Sequence, residues 1–283
     1  MHCDQSGWDG MYFADHFMPD DPRGVPANGA VLECWAVLAA LAAETQQLRL
    51  GSLVSGNLYR HPAMVANAAA TIDHISDGRF VVGLGAGWQV NEHAAYGIDL
   101  LDVGPRLDAF EEACVVITSL LGQQRTTFSG GHYRMTDAPC DPKPVQAHLP
   151  LLIGGSGEKR TMRIAARYAD EWNAWGSPED FARRTGILEA HCSAVGRDPG
   201  FIVRSTQALV YLSTDEKWLA PLRRESSARS RLLGTPAELV EQVAAYDAVG
   251  VDELIIPDWM MGSASRTADT LDLFWNEVAV HFR

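Results

Sequence analysis

Short apolar runs that break at once into glycine or a polar tip, each followed by helical periodicity, constrain this sequence more than any other feature. The plainest runs from Phe80 to Leu84, is rich in valine, and passes through glycines at 83, 85 and 87 to Trp88, Asn91 and Glu92. A buried strand ending in a tightly turned polar tip has this form. Glycine lacks a Cβ, so the main chain at Gly85 and Gly87 can take positive φ and let a flat ligand approach the amides. The form recurs. Gly10 to Ala14 ends at Asp15 and His16, and Leu48 to Val54 ends at Ser55, Gly56 and Asn57. Leu151 to Gly154 runs into Gly155, Ser156 and Gly157, while Glu171 to Trp175 and Glu253 to Pro257 are shorter members.

Helical stretches separate these runs. Val31 to Thr45 has helical apolar spacing, and Pro62 opens a helix through Ala63 to Ile75 that Asp77-Gly78 stops. Arg106 to Leu121 carries apolar residues at 107, 110, 114, 117 and 121, one face of an amphipathic helix. Lys159 to Ala169 reads as a helix, Ser177-Pro178-Glu179-Asp180 as a capped helix start, and Thr235-Pro236-Ala237-Glu238 as a capping box. Val203 to Leu212 reads as one longer strand, and Ala268 to Val280 as a closing helix. Residues 122–150 read as an insertion: a hairpin over Thr126 to Met135 around Gly130-Gly131, then a proline-rich connection ending at Pro150.

Strand and helix alternating over short links give a parallel sheet with its helices outside, the α/β class. The expectation is a TIM-type (β/α)₈ barrel in one domain over residues 1–283, carrying that small insertion. Seven core strands are readable where eight close a barrel. The first strand is expected to precede residue 1, because MHCDQSGWDG reads as the tail of a first helix. A doubly wound open sheet is the competing architecture, but no early GxGxxG with a ribose-binding acid downstream supports it.

A chain of 283 residues that is 47% hydrophobic can bury a large core, and a net charge of −13 argues against nucleic acid and anionic membrane as partners. No apolar run has the length of a membrane span and no signal-peptide pattern opens the sequence, so a cytoplasmic protein is expected. None of the five cysteines forms a CxxC, and Cys34 and Cys114 fall within apolar helical patterns as inert core residues. No HxH, HExxH or carboxylate cluster stands at the strand tips, so no metal site is expected.

In a barrel of this kind the C-terminal ends of the strands carry the chemistry. Imidazole exchanges protons near neutral pH, which makes His16 the candidate proton donor or acceptor, with Asp15 beside it expected to orient it. Gly155, Ser156 and Gly157 offer amides and a hydroxyl to an anion just before a helix, with Lys159 and Arg160 adding charge. Trp88 can wall in an aromatic ring, and Trp172 and Trp175 stay unassigned. His61, His74 and Arg79 read as supports outside the site, and Asp108, Glu111 and Glu112 as a solvated helix face.

The segments ADHF at Ala14 to Phe17, LRLGSLVSGNLYRHP at Leu48 to Pro62, ATIDHISDGRFVVGLGAGW at Ala70 to Trp88 and LLIGGSGEKRTMRIAARYADEWN at Leu151 to Asn173 resemble the bacterial luciferase-like oxidoreductases. The resemblance runs from Gly7 onward and is nearest the branch that uses the deazaflavin coenzyme F420. It implies a barrel with a tricyclic ring across its C-terminal mouth. Asp15 and His16 match the catalytic pair, and Val54, Ser55 and Gly56 the bulge beneath the ring, often held by a non-prolyl cis peptide. Gly85, Gly87, Trp88, Asn91 and Glu92 match the facing wall of the cofactor site. Gly154, Gly155, Ser156 and Gly157 match the loop that receives the cofactor's phosphate. The implied activity is hydride transfer between the deazaflavin and a small organic substrate, in a possible homodimer. An FMN-dependent monooxygenase on the same scaffold is the first alternative, and an inactive or cofactor-carrying binding protein the second.

Overall fold

The computed structural model describes residues 2–283. The chain separates into two compact units, one built from the residues up to Gly154 with Arg167–Asp170, the other from Gly155–Ala166 and Glu171–Arg283.

The first unit opens with α1 (His2–Gln5) and β1 (Gly10–Phe13), followed by α2 (Cys34–Glu44), β2 (Arg49–Ser52) and the two-residue β3 (Ser55–Gly56). Then come α3 (Pro62–Ser76), β4 (Phe80–Gly85), α4 (Val90–Tyr96), α5 (Val103–Gly122), β5 (Thr126–Ser129), β6 (Arg134–Ala138) and β7 (Leu151–Gly154). Strands β1, β2, β4 and β7 lie side by side in that order, all parallel, and β3 pairs with the end of β4. The register sets Gly10 against Arg49, Leu50 against Phe80, and Val82 against Leu151. A parallel strand is covered on both faces, which is why β4 is apolar throughout and buried along its whole length. Phe80 and Leu84 are fully buried, each contributing about 1.5–3 kcal/mol of transfer free energy. Helix α3 packs on α5. It starts at Pro62 behind His61, whose Nδ1 accepts the Ala63 amide, and it stops at Asp77 in the left-handed region with φ 55°.

The turn between α2 and β2 shows why Arg79 belongs to the framework. Its guanidinium donates to the carbonyls of Ala42, Thr45 and Leu48 at 3.1, 2.8 and 2.6 Å, taking up acceptors that the end of α2 leaves unpaired. The Asp4 carboxylate accepts the amides of Gln46, Gln47 and Leu48 in the same turn. The reading of Glu112 as a solvated side chain is corrected. Its carboxylate accepts the amides of Gly131, His132 and Tyr133 at 2.7, 2.9 and 3.0 Å and so anchors the tip of the β5–β6 hairpin to α5.

The second unit contains α6 (Thr161–Tyr168) for most of its length, β8 (Glu171–Asn173), α7 (Pro178–Ala194), β9 (Val203–Gln207), β10 (Leu209–Leu212) and α8 (Glu216–Leu222). It ends with β11 (Arg231–Gly234), α9 (Pro236–Asp247), β12 (Glu253–Ile255) and α10 (Ala264–Glu277). Strand β9 pairs in parallel with β8 and β12, and β10 pairs in parallel with β11. The single strand expected over Val203 to Leu212 is therefore two. The chain changes neighbour at Ala208, from Ile255 opposite Gln207 to Arg231 opposite Leu209. Helix α9 begins with the expected capping box, Thr235 and Glu238 each accepting from the other's backbone. Helix α7 is capped by Ser177, with Pro178 in its first turn. Among the described residues no helix is long and apolar enough to cross a membrane.

Candidate active site

His16 sits just past β1 with its side chain 27% exposed, and its Nδ1 lies 2.8 Å from Oε1 of Glu92, which is completely buried. Glu92 comes from α4, a helix within a segment whose residues from Trp88 to Glu92 read in the sequence as an irregular rim. The second carboxylate oxygen accepts the Phe17 amide at 2.8 Å, and Tyr59 Oη donates to the first. Burial alone would raise the Glu92 pKa, but the hydrogen bonds from His16, the Phe17 amide and Tyr59 outweigh it and hold it below the usual carboxylate value. An ionised Glu92 can only accept, so the imidazole proton is placed on Nδ1 and Nε2 is left as the free acceptor. The Trp88 ring meets the imidazole edge to face at 5.5 Å between centroids and is itself 52% exposed.

Asp15 does not orient His16, contrary to the expectation. Asp15 turns inward, where its Oδ2 accepts from Ser55 Oγ at 2.6 Å, the Gly56 amide at 3.3 Å and Arg60 Nη1 at 2.6 Å. Arg60 bridges on to Glu33, and Trp35 Nε1 donates to Ser55 Oγ at 3.2 Å. Burial disfavours the charge on Arg60, yet Asp15 and Glu33 more than compensate and raise its pKa. Asp15 thus pins β3, and through it the bulge that precedes it.

That bulge contains a cis peptide between Leu53 and Val54, neither of them proline. The Val54 side chain fills space that two glycines leave open. A Cβ on Gly85 would lie 2.6 Å from Val54 Cγ2, and one on Gly154 would lie 2.7 Å from Cγ1. Residues 54, 55, 56, 85 and 154 therefore converge at the C-terminal ends of neighbouring parallel strands, with Val54 partly exposed above Gly85 and Gly154. A partly exposed apolar side chain seated on glycines at the strand ends suits a flat aromatic ring. Gly87 takes φ 87° and lets the chain leave β4 toward Trp88.

Asn91 is fully buried and ties down the loop behind His16. Its Nδ2 donates to Pro19 O at 2.9 Å, and Gln89 Nε2 does the same to Met18 O at 2.9 Å. In the second unit, Gly155 cannot offer its amide to a phosphate, because that N–H donates to Asn173 O at 2.9 Å while its carbonyl accepts from Trp172 Nε1 at 2.9 Å. The helix after it starts at Thr161, two residues later than expected, and Ser156 and Gly157 stay exposed. Trp172 is buried and stacked on Phe181, a core residue. Sequence reasoning missed Tyr59, Arg60 and Trp35. The first two stood in the quoted LYRHP segment, but nothing in that string says which carboxylate each one reaches.

A family model described as luciferase-like monooxygenase matches residues 2–226. This chain belongs to the luciferase-like monooxygenase family. Among its relatives, an F420-dependent glucose-6-phosphate dehydrogenase of Beutenbergia cavernae is 34% identical over 169 residues, 59% of this chain and 48% of that protein. A pyrimidine monooxygenase of Stutzerimonas stutzeri is 36% identical over 172 residues, 59% of this chain and 47% of that protein. The chain thus spans about half the length of these two luciferase-like relatives. A solved F420-dependent secondary alcohol dehydrogenase, in complex with an F420-acetone adduct, matches with a TM-score of 0.82. The match covers 98% of this chain and 92% of that chain at 20% identity, a likeness of fold. The expected α/β barrel class is the fold that luciferase-like proteins share.

Proposed function

We propose that this chain is an oxidoreductase in which hydride passes between bound coenzyme F420 and a small organic substrate, with His16 handling the accompanying proton. The observation that carries the reading is the pairing of His16 Nδ1 with the buried, ionised Glu92, which leaves Nε2 free on the exposed side of the ring. In the oxidising direction Nε2 accepts a proton from the substrate as the neighbouring carbon gives up hydride, and in the reverse direction it returns that proton. Glu92 is the positioning residue that fixes the tautomer, and Tyr59 and the Phe17 amide fix Glu92. When bound, the deazaflavin supplies two-electron hydride chemistry, and the protein supplies its seat and the proton.

Val54 would support the ring, Gly85 and Gly154 would allow Val54 to sit there, and Trp88 would limit access to one side. The relatives named as F420-dependent favour the deazaflavin. The relative named as a monooxygenase favours the second reading, a flavin-dependent monooxygenase using the same His16 and Glu92 pair.

Replacing His16 by alanine tests the assignment. The cofactor dissociation constant stays within about twofold while turnover falls about 10²–10⁴-fold, the range of a positioned acid–base group. Unchanged turnover would remove His16 from the mechanism.

A further inference from the structure

Two tryptophans that the proposed chemistry does not use meet a lone arginine in the second unit. Trp175 lies just beyond β8 and Trp259 just beyond β12. Both strands pair in parallel with β9, so both indoles leave the sheet of this unit at its C-terminal edge. Their rings stand 6.1 Å apart between centroids and at 81°, forming a corner. The Arg229 guanidinium occupies that corner, 5.1 Å from the Trp175 ring and 4.5 Å from the Trp259 ring. Its backbone is held at both ends by Ser227, whose Oγ accepts the Arg229 amide at 3.2 Å and donates to the Arg229 carbonyl at 2.7 Å.

A cation over aromatic rings is held by their quadrupoles without using up its N–H donors in hydrogen bonds to the protein. Among the described residues, no carboxylate pairs with those donors. Arg60, Arg183 and Arg223, by contrast, each hold an acidic partner. Trp259 and Met260 add exposed apolar surface beside the free donors, at 57% and 54% exposure. A planar cationic fork next to apolar surface matches an organic anion, the carboxylate or phosphate meeting Arg229 and the body lying along the indole.

We propose that Arg229, Trp175 and Trp259 form a binding site for such an anion, an aromatic or apolar carboxylate or phosphate. The site goes beyond the hydride-transfer reading and is measured without it. The anion can belong to a substrate or be the phosphate of the cofactor, since the recognising chemistry is the same.

Calorimetric titration of the full chain, free of cofactor, with benzoate, phenyl phosphate and the neutral isostere benzamide tests the site. Saturable binding of the two anions is expected, with benzamide at least about tenfold weaker. Arg229→Gln should weaken the anions about tenfold and leave benzamide unchanged, and Arg229→Lys should recover only part of the loss, because a point charge lacks the planar fork. Equal affinity of the native chain for benzoate and benzamide would overturn the proposal without any variant. So would undiminished anion binding by a folded Arg229→Gln protein. Titrating the variants with the deazaflavin separates the two sources: a parallel loss assigns the corner to the cofactor's phosphate, and a loss confined to the simple anions assigns it to substrate.

Discussion

Replacing Glu92 by glutamine exchanges one oxygen of a buried carboxylate for an amide nitrogen and removes its charge. Glu92 accepts from His16 Nδ1 and Tyr59 Oη through one oxygen and from the Phe17 amide through the other. Glutamine can keep every one of these contacts if its nitrogen takes the first position. Its carbonyl then accepts from Phe17, and its two N–H bonds point at Tyr59 Oη and at His16 Nδ1. The Tyr59 hydroxyl proton loses its acceptor, so the loss of stability is the charge assistance together with that displaced donor, about 1–3 kcal/mol. The cost to chemistry is larger. His16 Nδ1 must now accept, which sends the imidazole proton to Nε2 and removes the free acceptor the mechanism uses. Turnover should fall about 10²–10⁴-fold in a protein that still folds, as expected for an acid–base group held in the wrong tautomer. Urea unfolding gives the stability term, anaerobic turnover of the cofactor gives the rate, and nitrogen NMR of the His16 ring gives the tautomer. Unchanged turnover would refute the reasoning. A glutamine variant with its proton still on Nδ1 would do so as well, whatever its rate.

Gly154→Ala places a Cβ 2.7 Å from Val54 Cγ1 and 2.9 Å from Cγ2, a clash that a stiff valine cannot rotate away from. It should cost about 1–3 kcal/mol, and adding Val54→Ala should restore much of that stability; urea unfolding of single and double variants gives the coupling, and strict additivity would sink the idea. For Glu92 the sign of the pH effect comes from its lowered pKa. The stabilisation it gives is present above the ordinary carboxylate value of 4.5 and is lost as pH falls through the lower folded value. The stability gap between native protein and Glu92→Gln should narrow as pH falls below about 4.5, measured as urea midpoints; a gap that widens there would reverse the assignment.

Much of the first unit was legible because its signals are local. Strands at Gly10, Leu48, Phe80 and Leu151 announce themselves as apolar runs closed by glycine or a polar tip, and Pro62 marks the first turn of α3; in the second unit the caps at Ser177 and Thr235 likewise lie beside the helices they start. The position of His16 at a strand end was legible for the same reason. Its partner was not. Nearness in sequence favoured Asp15, yet Asp15 turns toward Ser55 and Arg60 and leaves Glu92, far along the chain, to meet the imidazole. Helix α4 escaped notice because it is only 7 residues long and lacks a side-chain cap at Gln89. The mixed VRSTQ of β9 gives way to the apolar LVYL of β10 at Ala208, but the change of neighbouring strand that makes it a break lies elsewhere in the chain. Gly155 shows the converse: a glycine-rich loop before a helix looks like an anion cradle until the tertiary partner of its amide, Asn173, is known.

Anaerobic titration of the purified chain with coenzyme F420 and with FMN, then turnover of the bound cofactor with and without oxygen, bears most directly on the proposed chemistry. Tight deazaflavin binding and hydride transfer that needs no oxygen is the expected result. Tight FMN binding without deazaflavin binding, and turnover that stops when oxygen is removed, would contradict it.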